Sequence, residues 1–391
     1  MVYKNDYGFE YINSLCQAIE QFTSRKDPSL FIYKGANLKY ALERALYSTF
    51  ADNKKFYLIF KDYKLGNLEK HLVVNDHVQK ELICLMCNLD KSNISIKKTS
   101  VIKKILRSIL RRLIIISCIH KLSSLLRILI SKHHFAVKKY KYLFSAKNKR
   151  TVEYFQPIIS KIQKESINFT YNNRTASYMS EKKIPYLKVF TATYIFERWA
   201  QKDSLLKQFS ITERFDLLYE PARIARPEAI MVTEGNASED EILNQICKLL
   251  NIKSICIQQG WSPIIHNGFR NMTFDKMLIW GKEFANTLLP YNPKQRFVAT
   301  GSHIISTRSK NKPYKLNSVV FFLQTITLLA PRDVWEKYIE FIIWIAENYK
   351  NLTVIIREHP AYPIDKERRE VLKSFKNVQF MNSGKYSLDE I

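Results

Sequence analysis

The stretch Thr353-Val-Ile-Ile-Arg-Glu-His-Pro360 decides the fold class. Thr353 to Ile356 are β-branched throughout with no polar break, as a strand covered on both faces of a parallel sheet requires. Pro360 stops the run and biases His359 towards an extended backbone. Arg357 and His359 then stand just past the C-terminal end of a central parallel strand. In open α/β sheets ligands sit in the crevice outside those ends. Taken alone, the stretch reads equally well as a buried strand followed by a solvated turn; the rest of the chain turns the reading towards a binding site.

Upstream, the same grammar repeats. Ala229–Thr233 reads as a strand ending in Glu234-Gly235-Asn236, and Ser254–Ile257 as one ending in Gln258-Gln259-Gly260. Met277–Ile279 runs into Trp280-Gly281, Phe297–Ala299 into Thr300-Gly301-Ser302, and Ser318–Leu323 into Gln324-Thr325. Helices are expected from Ser238, as N-cap, to Leu250 and over Val334–Tyr349, and a last strand over Val378–Met381. Of nine glycines, Gly235, Gly260, Gly281 and Gly301 sit at the ends of successive strands, where glycine permits a sharp turn or close approach of a ligand. Four such glycines in register point to a crevice built from strand ends. Near the N-terminus, Tyr11–Phe22 and Leu38–Phe50 have helical spacing, while Ser29–Tyr33 and Phe56–Phe60 read as strands. That βαβ rhythm suggests the start of a parallel sheet. Residues 151–226 give little pattern beyond a helix expected over Thr191–Phe209.

At 391 residues, with 46% hydrophobic and 25% charged residues, the chain is globular and long enough for two cores. The six cysteines hold no zinc-site spacing: Cys84 and Cys87 read as neighbours on an apolar helix, and the protein as one of a reducing, cytoplasmic compartment. No signal peptide or uncharged membrane span is apparent. Neither GxGxxG nor GxxxxGK[ST] occurs. Asn168-Phe-Thr and Asn173-Arg-Thr are glycosylation sequons in form only.

The net charge of +26 is uneven: from Asp90 to Glu153 no acid intervenes among 17 lysines and arginines. Within this basic insertion, about 91–150, apolar residues from Ile102 to Ile116 recur at three- and four-residue steps opposite Lys103, Lys104, Arg107, Arg111 and Arg112. Either this cationic helix, with the basic residues to Lys141, lies on an anionic membrane surface, or it docks on the core with a solvated basic face. The scarcity of aromatics within it counts against nucleic acid.

Five stretches together resemble a known family: Ile255-Cys-Ile-Gln-Gln-Gly260, Phe274-Asp-Lys-Met-Leu-Ile-Trp-Gly281, Val298-Ala-Thr-Gly-Ser302, Phe321-Phe-Leu-Gln-Thr325 and Ile356-Arg-Glu-His-Pro360. Their order and spacing are similar to those of glycosyltransferases of the GT-B type that build bacterial surface polysaccharides, the capsule and Kdo transferases, and of the related CDP-glycerol glycerophosphotransferases. The likeness covers roughly residues 227 to 385. It implies two Rossmann-like halves, with boundaries expected at 1–270 for an acceptor domain and 271–391 for a nucleotide-donor domain. The family often carries His-Gly where this chain has Gln259-Gly260. It also continues past a segment like Lys385–Ile391 with a strand, a Ser/Thr-rich loop and a helix, so the resemblance implies a shortened or divergent homologue, or a donor half closed differently.

The activity implied is transfer of a sugar from a nucleotide-activated donor, held in a cleft between the halves, to a growing capsule or lipopolysaccharide at the inner face of the membrane. The alternatives are a glycerophosphotransferase of the same fold and an inactive homologue that binds glycan or membrane. The leaving phosphate needs cations and N–H donors, for which Arg357, His359, Gly301, Ser302, Gln324 and Thr325 are the candidates, with Gln259 and Gly260 lining the cleft. The acceptor hydroxyl needs a base: Glu234 first, His266 second. Against these roles, Glu234 also favours the following helix N-terminus, and a loop histidine is often only hydrogen-bonded. No cofactor or metal is expected; no Asp-x-Asp pair is present.

Overall fold

A computed structural model describes residues 7–68, 71–97, 140–188, 204–260, 262, 264–302, 317–327, 331–359 and 363–381. The chain divides into two compact units, one of residues 11–304 and one of residues 305–391 with residues 1–10.

The larger unit begins with helix α1 (Gly8–Ser24). Where a strand over Ser29–Tyr33 was expected, Asp27 caps a 3-10 turn over Pro28–Phe31 by accepting from Ser29 N at 2.9 Å. Strands β1 (Ile32–Tyr33) and β2 (Ala36–Asn37) then form an antiparallel hairpin. Lys34 (φ 49°) and Gly35 (φ 85°) make its two-residue turn, the pairing of positive φ values that a primed hairpin turn requires. Helix α2 (Lys39–Phe50) is as expected. The strand expected at Phe56–Phe60 is instead part of helix α3 (Lys54–Lys64). Asn53 caps it, and Phe56, Ile59 and Phe60 are buried at helical, not alternating, spacing. Residues 7–65 therefore add no strand to a parallel sheet. Strands β3 (Leu72–Val74) and β4 (Ile94–Ile96) pair with each other around α4 (His77–Cys87), which buries Cys84 and Cys87 as neighbours on one helix.

The core of this unit is a seven-stranded parallel sheet. Its chain order is β5 (Tyr142–Ser145), helix α5 (Lys149–Ile159), β6 (Ser166–Thr170), α6 (Asn173–Glu181) and β7 (Tyr186–Lys188). Then follow α7 (Leu205–Gln208), α8 (Ile211–Ala225), β8 (Ala229–Thr233), α9 (Ser238–Leu250), β9 (Lys253–Ile257), β10 (Lys276–Ile279), α10 (Lys282–Leu288) and β11 (Phe297–Ala299). In space the strands run β11-β10-β9-β8-β5-β6-β7. The chain therefore builds outward from β5 in one direction, returns, and builds outward in the other. That is a doubly wound α/β sheet with its topological switch point between β5 and β8.

Two expectations are corrected here, and two lie outside the described residues. β5 and the start of α5 lie inside the stretch read as a basic insertion, yet β5 is the first strand of the sheet. The cationic helix read over residues 102–130 lies outside the described residues, as do residues 191–203 of the helix expected over Thr191–Phe209. The boundary expected at 270 falls inside one sheet, because β10 and β11 hydrogen-bond in register beside β9. The loop before β10 is anchored in the same unit: Arg270 pairs with Glu20 at 3.0 Å, and Asn267 Nδ2 donates to Cys16 O at 3.5 Å. The Asn168 sequon lies in the middle of β6 and is fully buried, out of reach of any modification.

Helix α9 is pinned from several sides. Ala237, not Ser238, is its N-cap, and the Asp240 carboxylate accepts from Ala237 N at 3.3 Å. Arg44 on α2 meets Glu241 at 2.9 Å with both side chains fully buried, and its Nε donates to Gly268 O at 3.2 Å.

The smaller unit holds a three-stranded parallel sheet ordered β12 (Ser318–Phe322), β13 (Thr353–Arg357), β14 (Val378–Met381). Helices α11 (Arg332–Asn348) and α12 (Lys366–Lys373) complete it. β13 is central, as read, but its burial alternates instead of being continuous. Val354 and Ile356 enter a core with Trp335, Ile339, Ile342 and Leu372, while Thr353, Ile355 and Arg357 are half-buried.

Candidate functional site

β8 ends at Thr233, and the next residue extends the ladder once more: Glu234 N donates to Ile257 O at 2.8 Å. Glu234 (φ 58°) and Gly235 (φ 69°) then turn the chain sharply out of the sheet through left-handed backbone. For a glutamate this conformation costs about 1–2 kcal/mol, and strain of this kind gathers at functional sites. Gly235 accepts no larger residue, since a Cβ would lie 2.7 Å from the Phe274 ring. Asn236 Nδ2 holds one Glu234 oxygen at 2.8 Å. The other, Oε1, lies over the end of β9, 2.7 Å from where a Cβ on Gly260 would stand. Burial raises the Glu234 carboxyl above its ordinary range; Lys147 and the Asn236 hydrogen bond oppose this, Asp240 adds to it, and Arg150 opposes it.

Lys147, just past β5, spans the switch point. Its Nζ meets Asp240 Oδ2 at 2.5 Å, and Asp240 is fully buried. At the end of β9, Gln258 rather than Gln259 holds the edge together: Trp280 N donates to its Oε1 at 2.9 Å, its Nε2 donates to Gly260 O at 3.2 Å, and Tyr154 OH donates to its carbonyl. Gln259 and Gly260 are half-buried beside it. Gly301 (φ 76°) and Ser302 follow β11 on the same edge, after Thr300 N donates to Ile279 O at 2.9 Å. Glu234, Gln259, Gly260, Gly301 and Ser302 thus share the carboxyl edge of one sheet.

His266 is placed otherwise. Its ring stacks on Tyr47, centroids 4.2 Å apart, and Nδ1 accepts from Gly268 N at 3.0 Å. Burial, with Arg270 and Arg44 nearby, lowers its pKa to about 4. The imidazole is neutral with its proton on Nε2, so it buttresses the 266–269 turn and offers no basic nitrogen. Gly268 brings that turn against the Glu234 loop, since a Cβ there would lie 2.7 Å from Asn236 O.

In the smaller unit, Gln324, Thr325, Arg357 and His359 share one carboxyl edge, joined where Leu323 N donates to Arg357 O at 3.0 Å. The Arg357 guanidinium lies 6.0 Å from the Phe322 ring centroid. Glu358 is structural: it accepts from Ile364 N at 2.9 Å and pairs with Arg369 at 2.9 Å. Apart from His266, the predicted residues therefore fall into two sets, one on each sheet.

Sequence reasoning missed Lys147, Arg150, Asn236 and Tyr154. The available signal was the run Tyr142–Ser145 followed by Asn148, which caps α5 by accepting from Thr151 N at 2.9 Å. One consequence is testable. Because the atom facing Gly260 is the tip of a flexible side chain, Gly260→Ala displaces the carboxylate and leaves the fold in place. Any activity that depends on the Glu234 carboxylate is expected to fall by about 10²-fold with an unchanged melting temperature; loss of both together would place Gly260 in the core instead.

Fold and edge together define an α/β protein with parallel sheets whose polar residues gather at the strands' carboxyl ends. No family model matches the chain, and no curated protein matches it. Among solved structures it is similar to the S. aureus MnaA–UDP co-structure, with 12% identity over 64% of this chain and 69% of that one and a TM-score of 0.36. It is also similar to a glycosyltransferase from Rickettsia africae ESF-5, with 10% identity over 63% and 68% and a TM-score of 0.39. No helix among the described residues is long and apolar enough to cross a membrane.

Proposed function

We propose that the protein is a glycosyltransferase that moves a sugar from a nucleotide-activated donor to a hydroxyl of a growing bacterial surface glycan. The observation that carries this reading is Glu234, a half-buried carboxylate on strained backbone at the carboxyl end of β8, beside the switch point. Such a group is suited to take the proton of an acceptor hydroxyl as that oxygen attacks the sugar carbon. The five stretches that resemble the polysaccharide enzymes support the class, since each ends at the carboxyl end of a parallel strand.

In this scheme Arg357 and His359, with Gln324 and Thr325, bind the donor's phosphates and stabilise the charge that builds on the leaving group. Gly301 and Ser302, after β11, offer a backbone N–H and a hydroxyl as donors on the larger unit's own edge. The scheme calls on no metal. Residues 102–141, of which 102–139 lie outside the described residues, would hold the enzyme at an anionic membrane surface on its cytoplasmic side.

A thermal-shift screen with CMP, CDP, UDP and GDP tests the reading, because a ligand that binds only the folded state raises the midpoint. One nucleotide is expected to stabilise the wild type and to lose most of that effect with Arg357→Ala. No shift with any of the four overturns the assignment.

A further inference from the structure

The switch point carries more positive charge than a neutral hydroxyl needs. α5 and α6 start side by side there, since Thr175 Oγ1 donates to Lys147 O at 3.2 Å. Arg150 in the first turn of α5 and Arg174 in the first turn of α6 are both exposed, and neither guanidinium has an ion-pair or hydrogen-bond partner among the described residues. Lys147, two residues before α5, has three N–H donors, of which Asp240 Oδ2 takes one at 2.5 Å. Asp240 is fully buried and largely cancels Lys147. Two unpaired guanidinium groups remain on the same edge as Glu234. Arg223, also exposed, is paired with Glu220 at 2.7 Å. Planar guanidinium groups are the side chains best matched to a phosphate or carboxylate.

We propose that the edge formed by β5, β6 and β8 binds an oxyanion of the acceptor, with Arg150 and Arg174 as its ligands and Lys147 beneath them. This rests on the reading of Glu234 as the acceptor's base and names the substrate class: an acceptor whose reacting hydroxyl lies a few bonds from a phosphate or carboxylate. The anionic group fixes the acceptor, and Glu234, one strand away, faces the hydroxyl. An acceptor without the charge loses its anchor rather than its reactivity.

Titration of the intact protein with inorganic phosphate and, separately, with glucuronate at low ionic strength tests this. Wild type is expected to bind one of them saturably, and the tighter of the two identifies the group. Arg150→Gln is expected to weaken binding about tenfold or more, the loss of one charge-assisted hydrogen bond, and Arg150→Gln with Arg174→Gln to abolish it. Arg223→Gln is expected to leave it unchanged, and the phosphate titrations are compared in an Arg357→Ala background, where the donor-phosphate groups do not contribute. Absence of binding to wild type, or binding that survives the double substitution, overturns the proposal. If it fails while a nucleotide still shifts the melting temperature through Arg357, the transferase reading stands and the acceptor is neutral. If phosphate or glucuronate binds through Arg150 and no nucleotide shifts the midpoint, the oxyanion site stands and the transferase reading falls.

Discussion

Arg44→Ala is expected to lower the free energy of unfolding by about 3–5 kcal/mol, the range for removing one partner of a buried ion pair. Arg44 and Glu241 are fully buried and 2.9 Å apart, one on α2 and the other on α9. Taking the guanidinium away leaves a carboxylate out of reach of water. Gln245 Nε2 at 2.7 Å and Asn244 Nδ2 at 3.3 Å support that carboxylate with dipoles but supply no charge. The same substitution removes the donor to Gly268 O and so loosens the turn that His266 and Asn236 pack against. Replacing both partners with apolar residues of similar volume, Arg44→Met with Glu241→Leu, is expected to recover most of the loss, because no charge is then stranded. Denaturant unfolding of the three proteins measures this. A loss below about 1 kcal/mol for Arg44→Ala, the scale of an exposed pair, contradicts it.

The legible parts of the fold were those whose pattern is local. β8, β9, β10, β11 and β13 are short apolar runs closed by glycine or proline, and their carboxyl ends carry the polar residues that suggested a ligand edge. β5, β6 and β7 were not legible. β5 is enclosed in a basic block, and β6 places Ser166, Asn168 and Thr170 in buried positions where a sequence pattern expects apolar residues. Phe56–Phe60 reads as a strand because five apolar or aromatic residues run together; only the cap at Asn53 reveals the helix. The loop at 261–275 resembles a linker until Asn267 and Arg270 are seen to bind α1, more than 200 positions away in sequence. The site divides in the same way. Glu234 could be found from its place after a strand and before an acidic helix start. Its neighbours Lys147 and Arg150 follow β5, in the loop and at the start of α5, and only the crossover that sets β5 beside β8 brings them near. His266 was chosen by residue type, whereas its neutrality is imposed by burial and by Arg270 and Arg44, which no local pattern encodes.

Glu234→Gln is expected to lower kcat by about 10²–10⁴-fold, the range for loss of a positioned general base, while leaving nucleotide binding through the smaller unit intact. The pH dependence follows from the direction of its shift. The base works as a carboxylate, and burial raises its folded-state pKa above the ordinary glutamate value. Activity is therefore full at pH well above that raised value and falls as the pH drops through it. The acid limb of kcat/KM lies higher than an exposed glutamate would place it, and it disappears in the variant. Stability separates this role from a merely structural one. Glu234 pays for left-handed backbone at φ 58°, so Glu234→Gly relieves strain of about 1 kcal/mol. A residue that only shaped the turn would be improved by that change, with transfer activity kept or raised. If Glu234 is the base, Glu234→Gly yields a protein at least as stable as wild type that has lost its turnover. Retained turnover in that variant removes Glu234 from the mechanism.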